Sequence, residues 1–163
     1  MNAKDAIRSS ANLSTTVLKA YISDLDDADL MCRPGKGCNH LAWQLGHLIS
    51  SEVHLLNCVA PGKGTELPPG FADAHSKASA SNDDPAGFHA KQMYVGLFDE
   101  VRAASRAALE AYAQSDLDKP APEDFRDFCP TMGDMFMLIA THPMMHAGQF
   151  VVVRRQLGKP ILI

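Results

Sequence analysis

Residues 131–157 read TMGDMFMLIATHPMMHAGQFVVVRRQL. The apolar side chains of this stretch recur at spacings of three and four, which predicts one long amphipathic helix. Thr131 with Asp134 three positions later resembles a capping box, which marks the start of the helix. Gly158 and Pro160 follow the last turn and end it. The stretch is therefore expected to form the fourth and last long helix of the chain.

Three further helices are predicted upstream by the same apolar periodicity. The first covers about residues 3–23, and the second covers about residues 40–59 with Asn39 as its N-cap. The third is expected to begin at Asp84 as N-cap, followed by a proline in its first turn, and to reach about Gln114. No segment alternates convincingly with a period of two, so strands are not expected. The predicted fold class is all-α, a four-helix bundle.

The connection between the second and third predicted helices, residues 60–84, is long. Several prolines and glycines come first, and the polar run SKASASNDD follows, which is typical of a surface segment. Such a connection is long enough to span the length of a bundle, so a simple up-down-up-down order is not assured. At 163 residues the chain is expected to form one domain, residues 1–163, with a substantial core.

Composition and charge exclude several classes of function. The formal net charge is −4, from 15 lysines and arginines against 19 aspartates and glutamates, which is no nucleic-acid-binding signature. No apolar run approaches the roughly 20 residues of a membrane span, and residues 1–10 lack the apolar core of a signal peptide. The four cysteines form no C-x-x-C pair, so free thiols are expected. We expect a cytoplasmic protein that contacts neither nucleic acid nor a membrane.

Two histidines lie one turn apart on the last predicted helix. His142 and His146 continue its apolar stripe, so they are expected to face the core rather than solvent. A buried imidazole needs either hydrogen-bond partners or a metal ion. Gly148, two positions further on, lowers helix stability and predicts close packing there. The pair is a candidate for metal ligands or for two hydrogen-bonded core histidines.

The second predicted helix carries an uncharged polar stripe. Its members recur at spacings of three and four: His40, Gln44, His47, Ser51 and His54. A solvated face would carry lysines, arginines and glutamates, whereas the only charged residue of this helix, Glu52, lies off the stripe. The pattern therefore indicates an interior cavity. Successive histidines of the stripe are two turns apart, roughly 10 Å, so they cannot all bind one ion. His47 lies mid-helix and is best placed to meet another long helix.

His47, His142 and His146 together form a candidate three-histidine metal site. Imidazole nitrogens at about 2.0–2.1 Å suit zinc, nickel or ferrous iron, and three ligands leave a position for water or substrate. An open position is more typical of a catalytic site than of a structural one. The other histidines are interpreted as supporting or surface residues (His40, His54) and as solvent-side residues (His75, His89).

Two motifs resemble those of a known family. The first, GCNHLAWQLGHLISSE at residues 37–52, places Trp43 four residues before the histidine of Gly-His-Leu. The second is His-x-x-x-His-x-Gly-Gln within residues 130–160, PTMGDMFMLIATHPMMHAGQFVVVRRQLGKP. The combination resembles the DinB-like superfamily, which includes the YfiT-like metalloenzymes. This resemblance implies up-down-down-up connectivity, dimerisation, and a divalent metal, nickel or zinc, bound by His47, His142 and His146.

The resemblance also implies a chemistry. Relatives include thiol-dependent S-transferases that use bacillithiol-type cofactors, and a mycothiol-dependent maleylpyruvate isomerase shares the bundle. The leading hypothesis is thus a transferase or hydrolase in which the metal activates a low-molecular-weight thiol or water against a small electrophilic molecule. Two features depart from the family: Ala147 stands where relatives often carry arginine, and Pro143 lies inside the helix and removes a backbone hydrogen bond.

Two other interpretations stay open. A non-catalytic metal- or ligand-binding bundle, such as a stress protein, would hold a closed, fully protein-ligated ion. A helical interaction module would hold its histidines in core hydrogen bonds without a metal. Arg154 and Arg155 are candidates for thiol-cofactor binding, although their position fits complementing the helix dipole. No general base is identified, and Glu52 and His54 are near the site only by their place on the second helix.

Overall fold

The computed structural model describes all 163 residues, and its regular structure is helical. The six α-helices are, in chain order, α1 (Ala3–Ile22), α2 (Asp27–Leu30), α3 (Leu41–Val59), α4 (Phe71–Ala74), α5 (Lys91–Ala111) and α6 (Met132–Gln156). Four of them are long, whereas α2 and α4 are single turns within connections. No strand is present, and one isolated bridge joins Pro120 to Thr131. The predicted all-α class is confirmed.

Helix α6 begins and ends where local signals place it. The Thr131 hydroxyl accepts from the Asp134 amide at 3.2 Å, and the Asp134 carboxylate accepts from the Thr131 amide at 2.9 Å. The helix continues through Pro143 to Gln156, and Gly158 then adopts a φ of 68°. Both predicted signals are therefore confirmed, and the proline does not end the helix.

Two other helix starts differ from the predictions. The N-cap of α3 is His40 rather than Asn39, because Nδ1 of His40 accepts from the Trp43 amide at 3.1 Å. Helix α5 begins at Lys91 rather than near Asp84, whose side chain caps only a short 3₁₀ turn. The amide of Lys91 instead donates to the side chain of Asp27 at 2.6 Å, so a distant residue satisfies the start of α5.

The four long helices pack around a shared core. Helix α1 runs parallel to α6, because Ser14 donates to the Ala140 carbonyl near the middle of both helices and Arg154 donates to the Tyr21 carbonyl near the C-terminal end of both. Helix α3 lies against both α6 and α5. Helix α5 runs antiparallel to α1, as shown by two ion pairs between them, Arg8–Glu110 and Lys19–Asp99.

A polar layer crosses the core at mid-height. Above it lies an apolar cluster of 18 buried residues that includes Leu18 and Phe98, and below it a cluster of 13 that includes Leu56 and Phe136. The layer holds buried polar residues from all four long helices: Ser14, Glu52, Arg102, Ser105 and His146. Most buried polar groups in proteins are hydrogen-bonded, and in this layer Oε1 of Glu52 and Oγ of Ser105 are buried without a hydrogen-bond partner.

The connection after α3 is not a simple surface loop, which corrects the prediction for residues 60–84. Phe71 and His75 are almost fully buried, and His89 is half-buried, so neither histidine is a solvent-side residue. His75 donates through Nδ1 to the Phe71 carbonyl at 2.7 Å and accepts through Nε2 from the Tyr94 hydroxyl at 2.8 Å. The ring of His75 also lies directly over Gly46 of α3. These contacts dock the connection onto α3 and α5.

Replacing Gly46 by alanine is expected to lower the free energy of unfolding by about 1–3 kcal/mol. A Cβ at this position would overlap the ring of His75, which is held by hydrogen bonds at both nitrogens. Gly148→Ala is the matched control, because nothing lies within 4 Å of its added Cβ. That change should stabilise α6 by about 0.5–1 kcal/mol. Urea unfolding measures both, and equal effects would contradict the close approach at Gly46.

The open surroundings of Gly148 also correct the prediction of close packing at this glycine, which is exposed on α6. Helix α6 is, by length and composition, apolar enough to cross a membrane, which the sequence interpretation did not recognise. Core helices that pack within a protein pass the same criterion. Met135, Phe136, Phe150 and Val153 of α6 are buried against the other helices.

Candidate metal centre

Three histidines from two helices meet at the polar layer. His47 comes from the middle of α3, and His142 and His146 come from successive turns of α6. One nitrogen from each ring lies within 4.8 Å of the other two, so the three could hold a metal ion. The ring centroids are 5.0 Å apart for the α6 pair and 5.4 Å from His47 to each. Pro143 therefore leaves the α6 pair on one face of the helix.

The three imidazoles are uncharged near neutral pH. Burial lowers the pKa of His142 to about 4, with a further contribution from His47. Burial, followed by the two neighbouring histidines, lowers the pKa of His146 to about 3. The pKa of His47 is also lowered, mainly by burial and then by the charge of Lys77. Neutral imidazole is the form that binds a metal, so no proton has to be displaced from these rings at pH 7.

A buried glutamine determines which nitrogen of His146 is free. Nε2 of Gln44 donates to the Asn39 carbonyl at 2.7 Å and to Oε1 of Gln149 at 3.0 Å. Because a carbonyl only accepts, the amide of Gln44 must present its oxygen to Nδ1 of His146, 2.8 Å away. Nδ1 is then protonated and donates to Gln44. Nε2 of His146 keeps its lone pair, as a metal ligand requires.

An aromatic stack orients His47. Its ring lies parallel to the indole of Trp43, with centroids 5.0 Å apart and planes 8° apart. The indole nitrogen donates to the Ser76 carbonyl at 3.1 Å and to the Ser79 hydroxyl at 3.2 Å. Nδ1 of His47 lies 3.4 Å from Oγ of Ser51. The connection after α3 thus fixes the indole of Trp43 by hydrogen bonds, and the indole in turn orients the ring of His47 by stacking.

The remaining histidines on the α3 stripe lie outside the cluster. His40 is fully buried and uses both nitrogens, accepting from the Trp43 amide and donating to the Asn82 carbonyl at 3.1 Å. His54 is exposed, two turns beyond His47. Neither ring belongs to the three-histidine cluster. His47 is therefore the one histidine of the α3 stripe that lies at the polar layer as a candidate ligand.

An open cavity of about 540 Å³ lies beside the cluster. His47 and His142 form part of its wall, together with side chains from α3, α4, the loop before α6 and α6 itself. A volume of this size accommodates a small organic molecule. An ion held by the three histidines would therefore be reachable from the cavity.

Two charged residues considered from the sequence have structural partners instead. Arg154 is fully buried, pairs with Asp24 and donates to the Tyr21 carbonyl, so it does not reach the cavity as a cofactor-binding cation. Glu52 is buried and lies 3.0 Å from the guanidinium of Arg102, so it is not a free base at the site. Sequence reasoning missed both pairings, since no local signal links residues so far apart along the chain.

Comparison with known proteins identifies a family. A family model described as the DinB superfamily matches residues 12–150, which include all three histidines of the cluster. The match runs from the middle of α1 to the last third of α6 and covers most of the chain. No curated protein matches the sequence.

Proposed function

Since the chain belongs to the DinB superfamily, we propose that it is a metal-dependent enzyme whose His47, His142 and His146 bind one divalent cation, zinc or nickel. The observation that carries the proposal is the meeting of three neutral imidazoles, two of which, His47 and His142, form part of the wall of an open cavity. Imidazole suits both metals, and three protein ligands leave a coordination position for a reactant.

The proposed reaction is transfer to, or hydrolysis of, a small electrophilic molecule. A bound divalent cation supplies Lewis acidity, which lowers the pKa of a thiol or a water molecule. The chain supplies the rest. Gln44 keeps the proton on Nδ1 of His146, Trp43 orients His47, and the cavity holds the two reactants together. The nucleophile is a low-molecular-weight thiol in the transferase and water in the hydrolase.

We also propose a helix connectivity, a domain organisation and an oligomeric state for the chain. The parallel course of α1 and α6 and the antiparallel course of α5 against α1 support an up-down-down-up four-helix bundle with a long crossover between α3 and α5, in a single domain over residues 1–163. We further propose that the protein is cytoplasmic, forms a homodimer and acts on a small-molecule substrate. It is proposed to bind neither nucleic acid nor a membrane. Size-exclusion chromatography with light scattering tests the dimer.

The test is a metal titration followed by an activity screen. Protein stripped with a chelator is titrated with Zn²⁺ and with Ni²⁺ at pH 7, and we expect one ion per chain. The loaded protein is then incubated with small thiols and electrophiles, and product formation is followed by mass spectrometry. Failure to bind either ion above a buffer control would overturn the metal site. One bound ion with no turnover would favour the alternative, a non-catalytic metal-binding bundle.

Replacing Gln44 by methionine is expected to lower metal affinity by about 10- to 100-fold. The change removes the acceptor that keeps the proton on Nδ1 of His146, so this proton can move to the nitrogen that faces the ion. Gln149→Met is the matched control, because Gln149 accepts from the amide nitrogen of Gln44, which keeps its second acceptor, the Asn39 carbonyl, in this variant. Competition with a metal indicator dye measures both variants. Equal affinities would show that Gln44 does not position the ligand.

A further inference from the structure

Pro143 leaves one backbone carbonyl of α6 without its helical donor. In an α-helix each carbonyl accepts from the amide four positions later, and proline has no amide hydrogen. The carbonyl affected is that of Ile139, one turn before Pro143 and three positions before His142. Ile139 and Pro143 are both buried, so this carbonyl needs a partner from within the protein.

Arg102 of α5 supplies that partner. Its Nη1 donates to the Ile139 carbonyl at 2.9 Å, and the residue is 8% exposed, so the bond is shielded from water. A guanidinium is a stronger donor than a backbone amide because it is charged. Arg102 therefore replaces, from a neighbouring helix, the hydrogen bond that Pro143 removes from α6.

The same nitrogen of Arg102 connects α6 with α3. Nη1 also donates to Oε2 of Glu52 at 3.0 Å, and Glu52 lies on α3 five positions after His47. One nitrogen thus bonds to both helices that carry the candidate ligands, through a carboxylate on α3 and through the carbonyl on α6 that the proline leaves free. The bridge belongs to the same polar layer as the three-histidine cluster.

The other donors of Arg102 hold the guanidinium in place. Nε donates to the Thr15 hydroxyl at 3.0 Å, and Nη2 donates to the Ala11 carbonyl at 3.0 Å and to the Ser14 hydroxyl at 3.4 Å. With the two bonds from Nη1, all five N–H groups of the guanidinium have an acceptor. The guanidinium is therefore fixed against α1 while it bridges α3 and α6.

We propose that Arg102 is a positioning residue of the metal centre. It compensates the hydrogen bond missing at Pro143 and sets α6 at the distance from α3 at which the three histidines share an ion. It acts through the Ile139 carbonyl and the Glu52 carboxylate, and it belongs neither to the histidine cluster nor to the cavity wall. Metal ligands must be held within about 0.5 Å of their productive geometry, so loosening this turn of α6 weakens metal binding. The inference rests on the metal site proposed above.

The experiment is a mutant cycle built on Pro143→Ala, which gives the Ile139 carbonyl an amide donor within α6. A carbonyl oxygen accepts two hydrogen bonds, so this variant keeps the bond from Arg102 and adds the helical one. Zn²⁺ affinity is measured at pH 7 by competition with a metal indicator dye. The visible absorption of Co²⁺-loaded protein reports the coordination geometry. We expect Pro143→Ala alone to match wild type in both measurements.

Arg102→Met combined with Glu52→Gln removes the bridge without leaving an unpaired buried charge. In the otherwise wild-type chain, this pair of changes is expected to lower Zn²⁺ affinity about tenfold or more and to alter the Co²⁺ spectrum. Added to Pro143→Ala, the same pair should lower affinity less than about threefold, because α6 then supplies its own donor. Equal losses in the two backgrounds, or lower stability with unchanged affinity and spectrum, would overturn the proposal.

Lys19→Met is the matched control, because it removes an exposed ion pair between α1 and α5 that does not involve α6. It should leave Zn²⁺ affinity unchanged in both backgrounds. Circular dichroism establishes that each variant is folded before titration. Should the combined variant not fold, Arg102→Lys takes its place: it keeps a cation opposite Glu52, but its shorter side chain withdraws the donor from the Ile139 carbonyl. A loss of affinity in Arg102→Lys that Pro143→Ala does not reduce would overturn the proposal equally.

Metal binding by wild type, measured first, separates the two proposals. A wild type that takes up no Zn²⁺ or Co²⁺ overturns the metal site and, with it, the positioning role that rests on it. A wild type that takes up one ion per chain, with the same affinity and spectrum as the combined variant, leaves the metal site standing and overturns the role of Arg102 alone.

Discussion

Replacing His146 by alanine is expected to reduce affinity for Zn²⁺ or Ni²⁺ by more than about 100-fold, since even loss of a residue that supports a ligand costs about 10- to 100-fold. His146 is the most buried of the three candidate ligands, and Gln44 holds its ring with the lone pair of Nε2 free. Without it, an ion would keep only His47 and His142. Metal analysis of the purified proteins by mass spectrometry measures the loss.

His54→Ala is the matched control for this prediction. His54 lies on the same face of α3 as His47 and lines the same cavity, but it is not a member of the three-histidine cluster. Its removal should leave metal content unchanged. Circular dichroism confirms that both variants fold. Equal metal content in wild type and the His146 variant would reject the site as assigned.

Replacing Arg102 by methionine is expected to lower the free energy of unfolding by about 3–5 kcal/mol, the usual cost of breaking a buried ion pair from one side. The guanidinium donates to the Ala11 and Ile139 carbonyls and to the Glu52 carboxylate, so it joins four helices. Its loss leaves Glu52 buried without a counter-charge. Burial already raises the pKa of Glu52 against the opposing effect of Arg102.

Lys19→Met is the control for Arg102, because Lys19 forms an ion pair with Asp99 between α1 and α5 but at the exposed surface. Exposed pairs contribute less than about 1 kcal/mol, so this variant should unfold close to wild type in urea. Adding Glu52→Gln to the Arg102 variant removes the uncompensated charge and should recover part of the loss. Similar unfolding midpoints for the Lys19 and Arg102 single variants would show that the buried pair does not organise the polar layer.

Helices α5 and α6 show which helix ends can be predicted from neighbouring residues in the sequence and which cannot. Helix α6 could be predicted at both ends, because its capping box and terminal glycine act within a few residues. The start of α5 could not be predicted. The side chain of Asp84 accepts from the amide of Ala86 in a local turn, whereas the first amide of α5, that of Lys91, donates to Asp27, 64 positions earlier. The histidine spacing on α6 was equally local, and the structure brings His142 and His146 together with His47 as predicted.

The surroundings of these histidines could not be predicted from the sequence. Gln44 was visible on the α3 stripe, but its bond to His146 joins residues 102 positions apart. His75 was interpreted as a solvent-side residue because its neighbours in the chain are polar. Its burial depends on Tyr94 and Gly46, which only the folded chain brings to it.

The amino-acid sequence alone determined the helical class, the bounds of the last helix and the placing of His142 and His146 on one face of that helix. Each of these follows from periodicity or capping over one or two helical turns. Tertiary structure decided the tautomer of His146, the engagement of Arg102 and Arg154 in buried pairs, and a cavity wall without lysine, arginine, aspartate or glutamate. The physical reason is that these properties depend on desolvation and on partners from distant segments, which meet only when the helices pack.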